Sequence, residues 1–129
     1  MQYNTLDEWV NDEMIPFFVK ITQQALKRKP FVYDFKLAES ARKHSEYMAL
    51  NGRVQCSPRE YREGAEENTF CCIASGGDVK MALSWIANTF RQDTKDSRKL
   101  KECDIIGVGI ALRGNEIYVT QRLRRIPFI

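Results

Sequence analysis

The sequence predicts an α+β fold, three or four helices around a small antiparallel sheet. Apolar residues recur at helical spacing in segments spread over the first 91 residues, and the C-terminal stretch then switches to strict two-residue alternation. With 129 residues, 43% of them hydrophobic, the chain reads as one domain over 1–129 with enough apolar material for a real core.

Leu6, Trp9, Val10 and Met14 follow helical spacing up to Pro16, and Phe17, Phe18, Ile21 and Ala25 resume it as far as Lys29-Pro30. Proline fits a first helical turn but not an interior, so the pattern predicts a short helix and a second one from Ile15, with one kinked helix as the alternative. Trp9, Met14, Phe17 and Phe18 read as core, ahead of an apolar groove lining. Asp34 can cap the next helix, whose stripe is Leu37, Ala41, His44 and Met48 and whose stop is Asn51-Gly52. Residues 53–77, with Pro58, Gly64, Gly76 and Gly77, show no long period and read as an irregular stretch.

Asp78 caps a helix carrying Val79, Ala82, Trp85, Ile86 and Thr89 to about Arg91, with Trp85 assigned to the core. Residues 105–112 and 116–123 alternate on either side of Arg113-Gly114-Asn115 and predict a hairpin. Gly107 and Gly109 lie two apart, which leaves one face of the first strand nearly bare for a helix, or less commonly a ligand, to approach.

Twenty Lys and Arg against 17 Asp and Glu give a net charge of +3, which demands neither nucleic acid nor an anionic membrane as partner. The cluster Arg91, Lys95, Arg98, Lys99 and Lys101 is diluted by Asp93, Asp96 and Glu102 and reads as a solvated face or loop; an anionic partner is the minor alternative. No stretch reaches the roughly 18 apolar residues of a membrane-spanning helix. Residues 1–8 lack the basic start and apolar run of a signal peptide, as expected of an intracellular chain or of one trimmed before Met1. Four cysteines suit disulfides outside the cell and free thiols inside it. Neighbouring Cys71 and Cys72 cannot easily bond each other, so oxidation is expected to join them separately to Cys56 and Cys103.

Several blocks in order carry a resemblance. They are Leu37 to Ala49, Gly64-Ala65-Glu66-Glu67-Asn68, Met81-Ala82-Leu83-Ser84-Trp85, Ile106-Gly107-Val108-Gly109 and Tyr118-Val119-Thr120-Gln121. The set resembles the CAP superfamily, also called SCP-like or PR-1-like, in which these blocks read L-x-x-x-A-x-x-H/W-x-x-x-M-A, G-E-N, A-x-x-x-W, I-G-V-G and Y-x-T-Q. The resemblance implies a three-layer α-β-α sandwich with a small central antiparallel sheet, and a helix packed on the Gly107/Gly109 face. It also implies a mostly secreted, non-enzymatic protein that binds a lipid or a protein partner, with a cytoplasmic location as the alternative.

Family members with a metal site use two histidines and two glutamates, whereas His44 is the one histidine here. The resemblance puts Glu67 and Asn68 in the cleft block, Cys56 where the first histidine would stand and Asn88 near the second glutamate. These four are the candidate binding residues, with no metal and no cofactor expected. For Glu67 the plainer reading, a brace on its loop through backbone hydrogen bonds, stands ahead of ligand binding. His44 with Cys56 as nucleophile would make a small thiol-dependent hydrolase, the competing reading. His44 shares its stripe with Leu37, Ala41 and Met48, however, which favours a packed, hydrogen-bonded structural role.

Overall fold

The computed structural model describes Tyr3 and residues 5–126. Helix α1, Leu6–Trp9, starts at Thr5, whose hydroxyl accepts from the Glu8 amide. It runs through a π-helical turn, Val10–Met14, into α2, Ile15–Leu26. Pro16 has no N–H and cannot continue a regular ladder. The Ile15 amide reaches back to the Val10 carbonyl, five residues away, so the proline falls in the first turn of α2. Both sequence alternatives are thus half met: α2 begins at Ile15, yet the chain stays helical throughout. Met14 and Phe18 are fully buried and Trp9 and Phe17 pack against the same cluster, which makes this stripe core.

Strand β1, Val32–Tyr33, leads to α3, Phe35–Asn51, capped by Asp34 Oδ1 at 2.8 Å from the Lys36 amide and closed by Gly52 at φ 72°. Strand β2, Glu66–Ile73, follows, then α4, Val79–Gln92, α5, Thr94–Glu102, and the hairpin of β3, Ile105–Arg113, and β4, Glu116–Arg124. The sheet order is β1-β3-β4-β2. Helix α3 covers one face. Helices α2 and α4 pack together on the other, over Ile106, Val108, Ile110, Ile117, Val119 and Leu123. The three-layer sandwich and the C-terminal hairpin are as expected.

Three expectations are corrected. The sheet is mixed, not antiparallel, because β1 pairs in parallel with β3 through Val32↔Ile105 and Tyr33↔Ile106. The 53–77 stretch contains β2, whose eight residues pair with β4 from Glu66↔Leu123 to Ile73↔Glu116. A strand with one acidic end and adjacent cysteines carries no clean alternation, so its pairing partner defines it. The charged run after Arg91 is a solvated face, the first of the two forms expected, and a helix carries it: Asp93 caps α5 and Leu100 is its fully buried anchor, while Arg91, Lys95, Arg98 and Lys101 face solvent. Trp85 is 55% exposed, because α4 turns Val79, Ala82, Leu83, Ile86, Ala87 and Phe90 inward and leaves Trp85 at the sheet margin, its ring 5.5 Å from that of Phe70.

The closest packing is between α3 and β3. A Cβ on Gly107 would lie less than 3.0 Å from the main chain of Leu37 and Ala38, and one on Gly109 equally close to that of Ala41 and Arg42. Ser45 fixes the contact by donating to the Gly109 carbonyl at 2.8 Å and pairing with Thr120 Oγ1 at 2.8 Å. At the other pole Arg28 donates to the Leu100 and Cys103 carbonyls and so caps the C-terminus of α5. Gly109→Ala should destabilise the protein by about 3 kcal/mol or more, since main chain cannot rotate away from a new methyl group as a side chain can. Equilibrium urea unfolding measures this.

Candidate functional site

Glu67 and Arg122 face each other directly across β2 and β4. Both side chains are only 1% exposed, and Arg122 Nη2 lies 3.0 Å from Glu67 Oε2. Ser57 completes the carboxylate's shell, its amide donating to Oε1 at 2.8 Å and its hydroxyl to Oε2 at 2.6 Å. The rest of the guanidinium is taken up by Ser57 Oγ at 2.7 Å, the Tyr61 carbonyl at 2.9 Å and Ser40 Oγ from α3. Arg62 donates to the Ser57 carbonyl at 2.9 Å and so braces the loop that Ser57 belongs to. A buried ion pair repays its desolvation only when its remaining lone pairs and protons are satisfied, and these are. Burial pushes the Glu67 carboxyl up, but hydrogen bonds from the Ser57 hydroxyl and amide, with His44 and Arg122 nearby, outweigh it. They hold the group below its ordinary value of 4.5.

Above this pair opens a cleft of about 800 Å³ between α3 and residues 55–63, its walls including Tyr47, Tyr61, Pro58, Lys36 and Lys43. His44 and Cys56 also line it. His44 is buried on its α3 stripe and its Nε2 lies 2.6 Å from the Gln55 carbonyl; since a carbonyl only accepts, Nε2 carries the proton. Among the described residues no hydrogen bond joins the His44 ring to the Cys56 thiol, so nothing here supports the nucleophile–base pair of a thiol hydrolase.

The other candidates separate. Asn68 follows Glu67 in the strand and therefore points to the opposite face, where it meets Gln121 and α5. Its better satisfied orientation has the amide nitrogen donating to Asp96 Oδ1 at 2.9 Å and to the Glu67 carbonyl at 3.2 Å. Asn88 is exposed on α4, on the far side of the sheet, bonded to Arg91 at 2.7 Å. Of the four residues, then, Cys56 lines the cleft, and Glu67 lies buried beneath it, paired to the Arg122 that does line it. Sequence reasoning missed Arg122, Ser57 and Ser40. The signal available was an arginine on the same strand face as Tyr118 and Thr120, inside the strand rather than at its Glu116 or Arg124 end.

The four cysteines are free, so the pairing of Cys71 and Cys72 with Cys56 and Cys103 expected on oxidation is not shown. Strand alternation turns Cys71 toward Tyr118 and Cys72 toward α4, where its Sγ lies 3.9 Å from the Ala82 carbonyl. Cys103 precedes β3 at the Glu66 end of the sheet, on the order of 20 Å along the strands from Cys71. Burial pushes the thiols of Cys71, Cys72 and Cys103 up.

The residues present do not fit the metal that the resemblance brings with it. Both Glu67 oxygens are occupied by donors, a guanidinium stands where a cation would have to approach, and Asn88 is on the other face of the sheet. Among the described residues no group of three or more His, Cys, Asp and Glu is arranged to hold an ion.

Glu67→Gln should cost about 3–5 kcal/mol near neutral pH by stranding the Arg122 charge. Because the folded carboxyl titrates below 4.5, its contribution is fully present above that value and is lost as pH falls through the lower folded one. The stability gap between native protein and variant, measured by denaturant unfolding across pH, should therefore shrink in acid. His44→Ala should destabilise by about 1–3 kcal/mol through a cavity and a lost hydrogen bond, and His44→Gln, which keeps a donor for Gln55, by less. Thermal melts of both variants decide this.

The sequence matches no family model and no curated protein. Solved structures do match. NaASP2, solved with Zn2+, shares 15% identity, with 84% of this chain and 77% of that one covered at a TM-score of 0.67. An outer surface protein from Borrelia burgdorferi gives 15%, 91%, 96% and 0.66 on the same measures. An extracellular protein containing a SCP domain from Bacillus anthracis gives 18%, 98%, 45% and 0.61. At these identities the likeness establishes architecture, and the architecture of this chain is the SCP-like, or CAP, fold.

Proposed function

We propose that the protein is a CAP-superfamily binding module without enzymatic activity, which takes a lipid-like ligand into the cleft beside α3. The observation that carries this reading is the cleft's construction. Arg122 at its floor is closed off by its pair with the buried Glu67, while its walls expose the rings of Tyr47 and Tyr61 in a volume of about 800 Å³. Ligand sites of this size combine apolar or aromatic walls with a few polar groups that fix orientation. Lys36 and Lys43, with Glu60 and Glu63, put polar groups around the rings for a ligand's head.

Placement outside the cell belongs to the same proposal, supported by likeness to the Bacillus anthracis extracellular protein and the Borrelia outer surface protein. Among the described residues no helix is long and apolar enough to cross a membrane.

Titration with a fluorescent long-chain fatty acid tests the ligand class. Saturable binding is expected, weakened about tenfold by Tyr61→Asp, a change at an exposed ring that leaves the melting temperature in place. Absence of binding, or binding indifferent to Tyr61→Asp and Lys43→Glu alike, would overturn the assignment.

A further inference from the structure

Strand β2 ends the sheet, with β4 on one side and no strand on the other. The Glu67 carbonyl points away from β4, accepting from Lys99 Nζ at 2.9 Å, while the Ala74 amide points toward the hairpin and donates to the Asn115 carbonyl at 2.7 Å. Odd-numbered residues of β2 therefore direct their N–H and C=O groups outward. Lys99 occupies the Glu67 carbonyl, which leaves Thr69, Cys71 and Ile73; none of the loop or side-chain hydrogen bonds among the described residues reaches their main chain.

This edge lacks the usual protections. Thr69-Phe70-Cys71-Cys72-Ile73 holds no charge, proline or glycine, and the strand has no bulge in its pairing with β4. Beside it lie three large exposed apolar side chains, Ile73 at 62%, Met81 at 67% and Trp85 at 55%. Met81 and Trp85 flank a shallow hollow of about 350 Å³ whose floor includes Cys72.

We infer that β2 is the interface of a two-fold homodimer, in which the edges of two copies pair antiparallel about Cys71 and join the sheets into one of eight strands. Centring on Cys71 uses all the open groups: Thr69 pairs with Ile73 of the second copy, Cys71 with its own counterpart, and Ile73 with Thr69, two hydrogen bonds in each pair. A two-fold axis normal to the sheet keeps both α4 helices on one face. Trp85, over Phe70, then meets Met81 of the second copy, over the Cys72 that faces Phe70. The patch is thus self-complementary. Glu66 and Glu67 fall opposite Gly76 and Ser75 of the second copy, so no like charges confront each other. The three exposed side chains hold on the order of 400 Å² per copy, about half of the ~800 Å² each partner buries in a standard interface, and the strand edge supplies the remainder.

Sedimentation equilibrium on the whole chain should show a monomer–dimer equilibrium with Kd at or below about 0.1 mM, weakened at least about tenfold by Trp85→Lys and by Ile73→Lys. Both substitutions are at exposed positions, and circular dichroism confirms that the variants fold. Amide exchange followed by NMR gives the register: the N–H groups of Thr69, Cys71 and Ile73 should gain protection as concentration rises, while those of Asn68, Phe70 and Cys72 are protected throughout. A chain monomeric to about 1 mM overturns the inference. So does a dimer indifferent to both substitutions, or one that leaves the three odd amides unprotected.

Discussion

Helix α3 lies directly on the bare face of β3, and the remaining architecture is arranged around that contact. With no side chain at Gly107 or Gly109, the helix backbone comes down to the strand until the main chains nearly touch. Ser45 can then reach both the Gly109 carbonyl and Thr120 on the next strand, tying helix to β3 and β4 at once. Earlier on the same helix, Ser40 and His44 are set over the Glu67 end of the sheet. The helix is thus both a layer of the fold and a wall of the cleft.

The ion pair is a consequence of that arrangement. Glu67 and Arg122 are cross-strand neighbours, and in a half-covered sheet such a pair would be a solvated contact of small worth. With α3 and the 55–62 loop closed over them, both charges are removed from water and every remaining donor and acceptor has to be met. Ser57, Ser40 and the Tyr61 carbonyl meet them. The same network that stabilises the loop also uses up the carboxylate, so the cleft has shape and aromatic walls but no free acid at its floor. The plainer reading of Glu67, a brace for its loop, matches this geometry, with the Ser57 amide as its backbone donor.

Much of the fold was legible. The Leu37, Ala41, His44 and Met48 stripe, the Asp34 cap, the Gly52 stop and the alternation on both sides of Gly114 are local signals, and the elements they predict form. Strands β1 and β2 were not legible. Two residues carry no periodicity, and the mixed chemistry of Glu66 to Ile73 becomes a strand only because β4 offers it an edge. Trp85 misled for a related reason: helical spacing says which residues share a face, but the width of the layer beneath decides which of them are covered.

The candidate site divides in the same way. Sequence alone placed Glu67 and Cys56 near a cleft by likeness of motif order, and the count of one histidine already weighed against an ancestral metal set. Only the tertiary structure decided that Asn68 faces away, that Asn88 lies beyond the sheet, and that Arg122 is the carboxylate's partner. Chain order fixes periodicity, caps and turns because these depend on neighbours within a few residues. The protonation and use of a buried charge depend on what is folded over it, and here Ser57, Arg122 and Ser40 stand 10 and 55 residues from Glu67 in the first two cases and come from α3 in the third.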